Sequence, residues 1–155
     1  MESRKQNRLD SFDYSSNAAY FITICTKNRR NLFWNAVGAS IARPPERLSS
    51  YGRTVDDAIR VIPIHYPTVV LEKYVVMPNH VHLLLRISSD SGQPSPTIST
   101  VIQQMKGYVT KKSGADIWQK SFHDHVVRNE SDYLEIWEYI ENNPQKWALD
   151  CFYNE

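Results

Sequence analysis

Apolar positions along this chain fall into short runs of two different periods. Ala18 to Thr26 (AAYFITICT) is β-branched and aromatic and passes at once into the polar, basic Lys27 to Asn31, which predicts a first strand. Val55, Ile59 and Ile62 recur at helical spacing and predict a helix over roughly Tyr51 to Ile62, capped near Ser49 or Ser50. Two Val- and Leu-rich runs, near Pro67 to Met77 and His80 to Ile87, flank the tight Met77-Pro78-Asn79 connection and read as a hairpin. Helical spacing returns at Ile98, Ile102, Met105 and Val109, predicting a second helix from about Ile98 to Lys112. Phe122 to Val127 reads as a short strand, and a last helix is expected from an N-cap at Ser131 to about Asn142, stopped by Pro144.

Two stretches lack either period. Gly38 to Ser50 (GASIARPPERLSS) carries Pro44-Pro45, and Ser88 to Ser99 (SSDSGQPSPTIS) carries Gly92, Pro94 and Pro96, so both are expected as surface loops. The order strand, helix, hairpin, helix, strand, helix, without repeats, is that of an α+β domain with helices packed on an antiparallel sheet. It resembles the ferredoxin-like (RRM-like) plan.

The 155 residues, 41% hydrophobic and 12% aromatic, suit one globular domain over 1–155. The N-terminus (MESRKQNR) has no apolar stretch behind it, and runs such as Leu83-Leu84-Leu85 are far too short to span a bilayer. A soluble, cytoplasmic protein without a membrane partner is expected. Cys25 and Cys151 are too few and too far apart for a disulfide framework or thiolate site and are read as free thiols. The net charge of +1 decides nothing about nucleic acid, because binding follows local clusters. Lys27-Asn28-Arg29-Arg30 and Lys106 with Lys111-Lys112 are basic, while Asp56-Asp57 and the Glu130 to Glu141 region are acidic.

Candidate chemistry centres on the hairpin and the last helix. Residues two apart on a strand share a face, so His80 and His82 project together and make half a metal site. Such a pair also occurs simply as packed histidines. Tyr139 and Asn143 are four apart and share one helix face. Asn143 can offer an amide oxygen, giving with two imidazoles a mixed site suited to Mg²⁺ or Mn²⁺. Tyr139 can supply a nucleophile if a cation or base assists a phenol whose ordinary pKa is about 10. Without that context Tyr139 reads as a core aromatic and Asn143 as a helix C-cap before Pro144.

The segment Tyr74 to Leu85 (YVVMPNHVHLLL) resembles the HUH signature, two histidines flanking a hydrophobic residue, of transposases with a single catalytic tyrosine. Ile117 to Glu130 (IWQKSFHDHVVRNE) and Tyr139 to Trp147 (YIENNPQKW) are similar to the two later motifs of the REP-associated tyrosine transposases. The resemblance runs from about Tyr20 to Trp147. It implies a fold of the HUH endonuclease type, His80 and His82 as metal ligands, Tyr139 as nucleophile and Asn143 as the polar group one turn beyond. Relatives often carry glutamine at this last position, so the shorter amide must approach more closely or act through a water.

The implied reaction is a transesterification on single-stranded DNA beside a hairpin, through a 5′-phosphotyrosine intermediate, with divalent Mg²⁺ or Mn²⁺ as cofactor. Basic and aromatic side chains suit that substrate, and Arg29, Arg30, Lys106, Lys111, Lys112, Trp118 and Arg128 are the candidates. The protein is expected as a monomer or homodimer. Two other readings compete. One is a zinc hydrolase in which His123 and His125 complete a four-histidine site, and the other a non-catalytic module that binds hairpin DNA or RNA.

Overall fold

The fold comes from a computed structural model and is described for residues 18–35, 48–88 and 95–143. Four strands, β1 (Ala18–Cys25), β2 (Val69–Val76), β3 (His80–Ile87) and β4 (His123–Val126), form one antiparallel sheet in the order β2-β3-β1-β4. Helices α1 (Ser50–Arg60), the single turn α2 (Ile62–His65), α3 (Ile98–Ser113) and α4 (Glu130–Asn142) complete the expected α+β, ferredoxin-like arrangement.

Helices α1, α3 and α4 each start where a side chain can satisfy a free N–H. Ser49 accepts from Gly52 N at 3.1 Å and Thr97 from Thr100 N at 3.2 Å. The cap of helix α4 lies two residues before the expected one. Asn129, not Ser131, takes the cap, its side chain accepting from Asp132 N at 2.8 Å, and Ser131 lies inside the first turn. Helix α1 ends at Arg60, and the apolar spacing carried on to Ile62 belongs to α2, because Pro63 near its start has no N–H with which to continue α1. At the far end of α3, Gly114 adopts φ 76, the left-handed C-cap conformation that glycine takes without strain.

Alternation divides the sheet into two faces. On one, Tyr20, Ile22, Ile24, Val81, Leu83, Leu85 and Ile87 form the main core with Val55 and Ile59 of α1 and Val101, Ile102, Met105 and Val109 of α3. On the other, Leu84 packs with Ile136 and Ile140 of α4, joined by Phe21, Val75, Tyr133 and Trp137. β3 is therefore buried on both sides, which is why His80 to Leu85 are all buried. Helix α1 approaches the chain after β1 so closely that a Cβ on Gly52 would lie 2.1 Å from Phe33 O.

The hairpin of β2 and β3 contains an irregularity between Leu71 and Lys73 that the sequence pattern does not announce. Residues 38–47 and 89–94 of the two expected loops, Pro144, Trp147 and Cys151 lie outside the described residues, and Ser50, Ile98 and Ser99 at the loop ends are already helical. Cys25 is a buried free thiol. Among the described residues no helix is long and apolar enough to cross a membrane.

Candidate active site

His80 and His82 lie on the α4 side of β3, opposite Cys25 and Thr23 of β1. Both are buried, at 0% and 1% exposure, and their Nε2 atoms stand 3.1 Å apart. Each ring is held through its other nitrogen. His80 Nδ1 lies 2.8 Å from Asn79 Oδ1, and His82 Nδ1 lies 2.9 Å from Thr23 Oγ1. Sequence reasoning singled out neither Asn79 nor Thr23. Asn79 adjoins His80, whereas Thr23 is found only through the β1–β3 register.

Helix α4 crosses this face antiparallel to β3. Its early residue Tyr133 lies beneath the Arg86 guanidinium, 5.9 Å from the ring centroid, and Tyr139 meets His82, with ring centroids 5.2 Å apart. Phe21 stacks on His82 at 5.2 Å and meets Tyr139 edge-on at 6.1 Å. Tyr139 remains 43% exposed. Asn143, one turn later, is displaced about 6 Å along the axis in the direction of His80. It is 4% exposed, and its Nδ2 finds no hydrogen-bond partner among the described residues. The sheet and α4 thus bring together three of the four expected centre residues, His80, His82 and Tyr139, and Asn143 is the buried C-cap residue one turn beyond Tyr139.

These residues fit a divalent ion. Two imidazole nitrogens at about 2.1 Å from one octahedral centre, at right angles to each other, are separated by about 3 Å, the spacing found for the two Nε2 atoms. Asn143 would add its amide oxygen, whereas its orphaned atom, Nδ2, is a hydrogen-bond donor and not a metal ligand.

The four-histidine arrangement does not form. His123 and His125 share the sheet face of His82, but β1 separates them from it through the Thr23–His123 and Phe21–His125 pairs. His123 is exposed, and His125 Nε2 is engaged with Asp132 Oδ2 at 2.8 Å. Among the described residues no group of three or more His, Cys, Asp or Glu can hold a metal. Burial pushes the Asp132 carboxyl up, but the hydrogen bonds from His125 and Arg128 N–H, with the charges behind them, outweigh it and lower its pKa.

The candidate DNA contacts divide by position. Arg29 and Arg30 are exposed in and just after a 3-10 turn (Lys27–Arg29) that sits on the Met77-Pro78-Asn79 connection, through Thr26 N to Asn79 O and Asn79 Nδ2 to Arg29 O. Lys111 and Lys112 are exposed in the last turn of α3. The chain beyond them returns to this same end of the sheet, where Asp116 pairs with Lys27 and Ile117 O accepts from Lys27 N. Lys106 Nζ donates to Gln119 O at 2.8 Å and Ser121 O at 3.3 Å, and burial lowers its pKa. Arg128 lies at the opposite end, past the Ala19 end of β1, so it does not join Arg29 and Arg30. Trp118 is corrected from a stacking surface to a core residue. It is 3% exposed and packs against Phe33, because its bridge to Thr26 draws it beneath the sheet end.

No protein-family model matches the sequence. A Haemophilus influenzae protein that is itself uncharacterised is 31% identical over a 172-residue alignment, which covers 97% of this chain and 93% of the relative. A second Haemophilus influenzae protein, "Putative REP-associated tyrosine transposase", is 23% identical over 147 residues, 86% of this chain and 74% of its own. Among solved structures, a REP-associated tyrosine transposase bound to a REP hairpin superposes with a TM-score of 0.66 at 23% identity, over 90% of this chain and 73% of that one. The fold is shared with that structure.

Proposed function

The chain belongs to one family with its full-length Haemophilus influenzae relative and is related to the REP-associated tyrosine transposases, and from that premise we propose that it is a metal-dependent, single-stranded DNA endonuclease and strand transferase acting beside hairpins. One observation carries the reading. A tyrosine from α4 meets a histidine pair whose ring nitrogens have the spacing of adjacent metal ligands.

In the proposed reaction the Tyr139 oxygen attacks a DNA phosphorus. An O–P bond forms as the bond to the 3′-oxygen breaks, the phenolic proton passes to solvent, and the leaving oxygen takes a proton to become a 3′-hydroxyl. The protein is left joined to the 5′-phosphate. The linkage retains the phosphodiester's energy, so attack by another 3′-hydroxyl rejoins a strand without an external energy source. His80, His82 and Asn143 would hold Mg²⁺ or Mn²⁺, which supplies charge neutralisation at the phosphate and leaving oxygen. Phe21 supports the Tyr139 ring against His82, and Arg29, Arg30, Lys111 and Lys112 form the basic end along which phosphates would run.

Incubation with labelled hairpin DNA bearing a single-stranded flank and Mn²⁺ is expected to give a covalent adduct on a denaturing gel, abolished by chelation. Hairpin binding without any adduct, at every metal and flank tried, would instead support a non-catalytic hairpin-binding module.

A further inference from the structure

Asn79 is buried, at 1% exposure, and its side chain makes two bonds of opposite sense. Nδ2 donates to the Arg29 carbonyl at 3.3 Å, and Oδ1 faces His80 Nδ1 at 2.8 Å. A carbonyl only accepts, so the nitrogen end of the amide must face Arg29 and the oxygen end must face the imidazole. An amide oxygen likewise only accepts. His80 Nδ1 therefore carries the proton, and the lone pair of the neutral ring sits on Nε2, the atom 3.1 Å from His82 Nε2.

Resting on the reading of His80 as a metal ligand, we propose that Asn79 is a positioning residue that locks His80 in the ligating tautomer, with the Arg29 carbonyl as its fixed reference. His82 is held differently. The Thr23 hydroxyl beside its Nδ1 can donate or accept and so serves either tautomer. The reference carbonyl is itself well determined. Asn28 and Arg29 take left-handed φ values of 56 and 53, a conformation that non-glycine residues keep only where their surroundings impose it. Thr26 imposes it, accepting from Arg29 N through its carbonyl at 3.2 Å and donating through Oγ1 to Arg30 O at 2.8 Å. The same exposed turn carries the Arg29 side chain, so one amide joins a basic surface element to a buried imidazole.

The test is long-range ¹H–¹⁵N correlation of the imidazoles in the metal-free, full-length protein at neutral pH, with Zn²⁺ affinity measured by calorimetry. Wild-type His80 is expected as Nδ1–H alone. Asn79→Asp, which keeps an acceptor for Nδ1–H, should retain that tautomer. Asn79→Leu should give a mixture and about tenfold weaker Zn²⁺ binding. His80 protonated on Nε2 in the wild type, or a folded Asn79→Leu with tautomer and affinity unchanged, overturns the lock. Should Asn79→Leu not fold, the wild-type and Asn79→Asp spectra still decide. The tautomer is read with neither metal nor DNA present. A wild type with Nδ1–H that binds no Zn²⁺ would therefore overturn the metal-centre reading while supporting the lock.

Discussion

The Tyr139 ring stands at 62° to the His82 imidazole with 5.2 Å between centroids, and Phe21 touches both. Three elements, β1, β3 and α4, each contribute one ring to this contact. Phe21→Ala removes the support on which Tyr139 rests, and misplacement of a reacting group by about 1 Å costs on the order of 100-fold in rate. Adduct formation should therefore slow by about 10- to 100-fold in this variant while hairpin affinity, measured by fluorescence anisotropy, changes little. Equal losses in both would assign Phe21 to DNA binding.

The position of the tyrosine helix depends on a small apolar cluster. Ile140, at 1% exposure, packs with Leu84 and Ile136 beneath α4. Ile140→Ala should cost about 2–5 kcal/mol in urea unfolding, whereas Leu134→Ala on the exposed side of the same helix should stay within about 0.5 kcal/mol. Similar effects at the two positions would mean that α4 is not packed on the sheet in this orientation.

Most of this architecture is legible in the sequence because it rests on periodicity. β3 displays its histidines on one face by simple alternation, and α4 places Tyr139 and Asn143 on one face by its own period. What is not legible depends on contacts distant in sequence. The Thr23–His82 bond spans 59 residues and follows from strand register, and the burial of Trp118 follows from its bridge to Thr26. The expected Ser131 cap is overturned for a local reason, since Asn129 two residues earlier is an equally good cap and the structure uses it.

Gly52 is held to its identity by distance. A methyl there would meet Phe33 O at 2.1 Å, and that oxygen already accepts from Ser49 N at 2.8 Å, so neither backbone can yield freely. Gly52→Ala should lower the unfolding free energy by about 1–3 kcal/mol despite the better helix propensity of alanine, as read from denaturant midpoints. A stabilised variant would show that α1 does not approach the Phe33 backbone this closely.

Asp132 links β4 to the first turn of α4 through His125 and Arg128 N–H. Its folded pKa lies below its ordinary 3.8, so its contribution is fully present above that value and is lost as pH falls through the lower folded pKa. Wild-type stability should decline on acidification below about pH 4 more steeply than that of Asp132→Asn. Parallel acid limbs in pH-dependent urea titrations would mean that the carboxylate contributes no linkage.

The proposed function turns on a covalent bond between Tyr139 and DNA. Trapping the reaction on hairpin DNA with Mn²⁺, digesting with protease and nuclease, and locating the residual nucleotide by mass spectrometry addresses it most directly. A 5′-phosphonucleotide is expected on the peptide containing Tyr139, absent from Tyr139→Phe and from His82→Ala. A nucleotide on another residue, such as Tyr133, or an undiminished adduct in Tyr139→Phe, would contradict it.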